Sequence, residues 1–216
     1  MRMKELRKLK KEQFLQEKGG LVKKLGEVFK QGYMPQRGTQ TYMYAYCFDP
    51  EVLMGDIINC FGHAAFNLTN EMIEKLGLTM EELEPIWRFG EKQNQGVTFS
   101  DEIEGFIRQT GLKIEPCGLH TKMKKNQWKI AYYMRHPSEG IDYHFILQEK
   151  DGRWSSKNGQ RPKVETFVSD PPKMWKDKYY LCGYYCITNP YVNEFTGKPI
   201  FENEKTSKTN DGGITK

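Results

Sequence analysis

No stretch of this 216-residue chain approaches the roughly 20 consecutive apolar residues of a membrane-spanning helix, so no helical membrane span is expected. Its first residues, MRMKELRKLKKEQ, lack the apolar core of a secretory signal. The expectation is a cytoplasmic protein, or one delivered into a host cell without a conventional signal peptide. Cysteine is scarce: five residues, at 47, 60, 117, 182 and 186, form an odd set without framework spacing. That excludes a disulfide scaffold and suits free thiols in a reducing compartment. No glycine-rich phosphate loop, dinucleotide fingerprint or cluster of metal-binding carboxylates occurs, so neither a cofactor nor a metal is expected. A surplus of positive charge is missing beyond the first 31 residues. Those hold ten Lys and Arg against four Glu, a surplus of six within a net charge of +5, which leaves the rest close to neutral. A nucleic-acid face on the core is therefore not expected, whereas the basic segment suits an acidic partner.

What the chain does contain is ordered as helices first and strands second. Leu6, Leu9, Phe14, Leu21, Leu25, Val28 and Phe29 recur at helical spacing, interrupted at Gly19-Gly20. This predicts a basic amphipathic helical arm over 1–31, separable from a single domain over 32–200. Thr79 with Glu82 fits a capping box, and Ser100 suits the cap of a helix stopping at Gly111. From there LKIEP, WKIAYYMR, DYHFILQ, GRWSS, VETFVS and KYYLCGYYCIT are short segments rich in β-branched and aromatic residues, separated by turn formers. Trp154 is expected to pack across the sheet, and Gly183 to mark a bulge or a close backbone approach. The polar stretch 201–216 reads as a disordered tail. The class is α+β, with an antiparallel sheet packed on the earlier helices.

The segment GDIINCFGHAAFNLTN sets Cys60 at the expected first turn of a helix, after Asn59. A buried structural cysteine is one reading. A zinc site is another, because CFGH (Cys60 to His63) and CGLH (Cys117 to His120) both have C-x-x-H spacing. The third is a nucleophile: helix N-termini stabilise a thiolate, and the base is then a histidine from elsewhere in the fold. His63 lies one turn away on the same helix, and His120 and His136 fall in loop contexts. His144 lies within an alternating strand, where Tyr143, Phe145 and Leu147 share one face and His144, Ile146 and Gln148 the other. His144 facing the helix and meeting Cys60 is the expectation. Cys47, Cys182 and Cys186 are assigned to structural roles.

The segments NCFGHAAFNL, DYHFILQEKDGRWSSKNG and YYLCGYYCITNP resemble a little-characterised family of bacterial and mobile-element proteins. Its pattern is an N-C-Y-like helix start, then Y-H-F/W and D-G-x-W-S-H-K-x-G. The order of a cysteine helix, a histidine strand and a hairpin is in turn similar to the papain-like cysteine hydrolases. The resemblance implies a papain-like α+β domain acting on a peptide or other amide bond as a thiol protease, hydrolase or acyl transferase. Cys60 would attack, His144 would serve as base and then acid, and the Cys60 N–H with the Asn59 side chain would contact the oxyanion. Ser156 stands where the family pattern has histidine, at the position that orients the imidazole, so Ser155, Ser156 or Asn158 would orient the ring instead, less strongly than a carboxylate. The alternative is accordingly a degenerate papain-like protein of a phage or mobile element that binds a host protein, with a peptide or protein as partner either way.

Overall fold

The computed structural model describes residues 19–35, 58–68, 70–79, 82–83, 99–140, 142–158 and 164–200. The helices are α1 (Gly19–Lys30), α2 (Asn70–Leu76) and α3 (Phe99–Gln109). The strands are β1 (Lys113–Cys117), β2 (Gln127–Arg135), β3 (Tyr143–Gln148), β4 (Trp154–Lys157), β5 (Val164–Phe167), β6 (Met174–Trp175) and β7 (Tyr179–Thr188). They form one sheet in the order β1-β7-β2-β3-β4-β5, with β6 added to β7, and each pair is antiparallel. The class read from the sequence is the class observed. At the expected Gly183 irregularity the β2–β7 register steps from Tyr132↔Gly183 to Tyr133↔Leu181, which leaves Cys182 as the extra residue of a bulge.

Each face of the sheet has its own core. On one face Trp128, Ile130, Phe145, Leu147 and Ile187 meet apolar residues of the helices. Phe61, Phe66, Phe106 and Phe145 form a linked set of rings there, with neighbouring centroids 5.4–6.0 Å apart. On the other, Ala131, Tyr133, Ile146 and Trp154 are covered by Leu119, Phe167, Trp175, Tyr179, Leu181 and Tyr184. Trp154 packs against Tyr184 across the sheet, as expected. The chain between β5 and β7 makes part of this second cover. It turns back sharply at Lys176 and Asp177, two non-glycine residues with left-handed φ of 50° and 57°.

The expected separable arm is corrected where it is described. Residues 1–18 lie outside the described residues, and α1 begins at Gly19. Leu21, Leu25 and Phe29 of α1 are fully buried, and Phe29 stacks on Trp128. Over α1 the helical spacing holds, and the stripe it creates is core. Asn189 fixes the end of α1, its Nδ2 donating to the carbonyls of Phe29 and Tyr33, each at 3.0 Å. Gly32, at φ +89°, lies so close to Pro199 that a side chain there would collide with the ring. Lys24 of α1 also pairs with Glu82 at 2.7 Å. The expected capping box is formed: Thr79 N–H donates to Glu82 Oε2 and Glu82 N–H to Thr79 Oγ1. The helix α3 begins at Phe99, one residue before the expected Ser100 cap position. The expected tail over 201–216 and the aromatic segment holding Cys47 lie outside the described residues.

Candidate functional site

Cys60 does stand in the first turn of a helical segment. Asn59 caps it, its Oδ1 accepting from the Gly62 N–H at 3.0 Å, and the chain continues as a π-helical turn over Gly62–Phe66. The cysteine itself is buried in the helix-side core. Its thiol lies against the β3 backbone, 4.0 Å from the Tyr143 carbonyl oxygen. Burial pushes the thiol up to about 12, and the amides of Phe145 and Phe61 and the charge of Lys157 draw it only partly back. An apolar enclosure favours the neutral thiol, the reverse of what a nucleophile requires.

His144 lies on the other face. Its β3 neighbours Phe145 and Leu147 belong to the helix-side core, whereas Ile146, two residues on, belongs to the second one. The imidazole stacks on Trp175, with centroids 5.3 Å apart and planes 12° apart, and its Nε2 pairs with Ser156 Oγ at 2.9 Å. Burial lowers its pKa to about 3, with Lys176 acting in the same direction, so the ring is neutral. The expected contact of Cys60 with His144 is therefore not made; each has its own partners. The alternation along β3 was assigned correctly, but the face was not. A buried ring needs a polar partner, and the sequence reading supplied one from the helix because it did not foresee that a second core covers the far side.

Of the four expected site residues, Asn59 and Cys60 are adjacent on the helix side, while His144 and Ser156 pair with each other on the far side. Asn59 Nδ2 donates to the Tyr143 hydroxyl at 2.9 Å. A second imidazole–hydroxyl pair, not foreseen, is His63 Nε2 with Ser155 Oγ at 3.0 Å. The signal for it was present: Ser155 and Ser156 are consecutive on a strand and must face opposite ways, one toward each histidine. Both pairs are buried, as is Lys157 next along β4. The two C-x-x-H motifs do not converge: Cys117 belongs to edge strand β1, and His63 is engaged by Ser155. Among the described residues no group of three or more His, Cys, Asp or Glu is placed to hold a metal ion. No described helix is long and apolar enough to cross a membrane.

These features define an α+β domain with a seven-stranded antiparallel sheet, covered on both faces and carrying a buried histidine–serine pair on each. Residues 56–180 match the family described as Domain of unknown function (DUF7689), more than half of the chain, and the protein belongs to that family. The match takes in Asn59, Cys60, His144, Ser156 and Trp175, while α1 precedes it. No curated protein and no solved structure matches the chain.

Proposed function

We propose that this domain is a papain-like fold without thiol catalysis that works as a binding module for a peptide or protein partner. The observation that carries the reading is the separation of Cys60 and His144 onto different faces of the sheet, each enclosed and each bonded elsewhere. A thiol raised to about 12 facing no imidazole supplies negligible thiolate at neutral pH. Ser156, a hydroxyl at the position of the family pattern's histidine, holds His144 in place but brings no charge to stabilise an imidazolium.

The hydrolase reading keeps one supporting observation, the Asn59-capped helical start whose Phe61 amide reaches the Cys60 sulfur. Iodoacetamide at neutral pH separates the two. The binding-module reading expects exposed Cys182 to be alkylated first and Cys60 to react only in denaturant. Preferential labelling of Cys60 in the native protein, abolished by His144→Ala, would restore the hydrolase.

A further inference from the structure

We propose that the groove beside Phe195, at one end of β1, β7 and β2, docks an acidic segment of a partner protein, one of whose apolar side chains sits on the Phe195 ring. This rests on the binding-module reading and specifies where and what the module binds. Lys113 of β1, Thr188 of β7 and Gln127 of β2 stand opposite one another in register and line the groove. Their middle is already tied, because Gln127 Nε2 donates to Thr188 Oγ1 at 3.1 Å. The facing wall is the loop over 192–199, closed by a bridge between Val192 and Pro199. Phe195 lies on that loop, 76% exposed, and Ile200 follows it, 46% exposed. The backbone under Phe195 is fixed. Asn193 Oδ1 accepts from the N–H groups of Phe195 and Thr196 at 3.0 and 2.9 Å, and the Glu194 carbonyl accepts from the Lys125 N–H at 3.0 Å. A tied loop therefore holds an aromatic ring in water, ordered before a partner arrives.

Charge selects the partner. Lys124 and Glu194 in the groove pair with each other. Lys113 in the groove, with Lys125 and Lys198 beside the loop, is exposed, and none of the three forms an ion pair among the described residues. Against them stands Glu115, also lining the groove and exposed. Three ammonium groups against one carboxylate favour the side chains of aspartate and glutamate. Separate carboxylates on a peptide can pass Glu115, whereas a continuous phosphate backbone must cross it, so a protein segment fits better than a nucleic acid. Asn126 in the wall, 7% exposed, adds an acceptor. Its Nδ2 donates to the Asn189 carbonyl at 3.3 Å, while its Oδ1 meets no donor among the described residues, and an N–H of the bound segment answers it.

The test uses the full chain and a rhodamine-labelled hexapeptide of alternating glutamate and leucine, followed by fluorescence anisotropy. Saturable binding is expected, weakened as salt rises and weakened about tenfold or more by Lys113→Glu with Lys198→Glu. Phe195→Ser should weaken it several-fold with the charges intact, and provides the reading if the double variant misfolds. The matching lysine–leucine peptide should not bind. Absence of binding, or unchanged affinity in both variants, would overturn the groove. So would a dimer in sedimentation that Phe195→Ser dissolves, since a second copy would then be the occupant, or an oligothymidine that displaces the peptide, since a nucleic acid would be. Mass spectrometry of the same peptide keeps the two proposals apart. Cleavage that requires Cys60 would overturn the binding-module reading, whereas an intact, unbound peptide overturns the groove alone.

Discussion

His144 is held neutral by enclosure between Trp175 and Ser156, and this has a measurable cost in acid. Its folded-state value of about 3 lies below the ordinary 6.5, so as pH falls through 6.5 the unfolded chain takes up a proton that the native protein refuses. The contribution to stability is complete above pH 6.5 and is lost between there and about pH 3, at no more than about 1.4 kcal/mol per pH unit. Urea midpoints between pH 7 and pH 4 should therefore fall more steeply for the wild type than for His144→Gln. Gln can still reach Ser156 but does not titrate. Parallel slopes would mean that the ring protonates within the fold. The chemistry at this scale was only half legible. Asn59, Cys60, His144 and Ser156 were each singled out from the sequence, and the bond between His144 and Ser156 follows from adjacent strands. That Cys60 and His144 would not meet depended on what lies over the far face, which β3 itself does not encode.

At the scale of elements, α1 shows how charge can mislead. Its lysines made residues 1–31 look like an arm, while the burial of Leu21, Leu25 and Phe29 makes the helix part of the domain. Removing residues 1–31 would uncover Trp128 and Phe66, both in ring contact with Phe29, and take away the Phe29 carbonyl to which Asn189 Nδ2 donates. The truncated chain should melt many degrees lower and aggregate. Phe29→Ala alone should cost about 3–5 kcal/mol, a large share of a domain's stability. A truncated chain with an unchanged melting temperature would mean that α1 is dispensable after all. The strands from β1 to β5 and β7 were readable because each has a β-branched or aromatic run between turn formers. The strand β6 was not: two residues after consecutive prolines give no alternation to detect. Yet β6 carries Trp175, and with it the cover of His144.

For the molecule as a whole, the consequence is a sheet whose central strand is shared by the two cores. The strand β2 is paired along most of its length with β7 on one side and β3 on the other, and its residues alternate between the two cores. Opening it requires both cores to come apart, which amounts to global unfolding. The four-residue strand β5 has pairing on one side among the described residues, and β6 is tied to β7 through two residue pairs. Hydrogen exchange should accordingly find the slowest amides at Ile130, Tyr132, Phe145 and Ile187, exchanging only with the whole fold. Amides of β5 and β6 should exchange through local opening at much lower free energy. Opening of β6 should also free Trp175, so its fluorescence should respond to mild denaturant before the far-ultraviolet circular dichroism of the sheet does. If β6 proved as slow as β2, the second core would be a full partner in the cooperative unit, and the far-side cover would be as permanent as the helices. Early loss of β2 protection would instead mean that the sheet does not hold the two cores together.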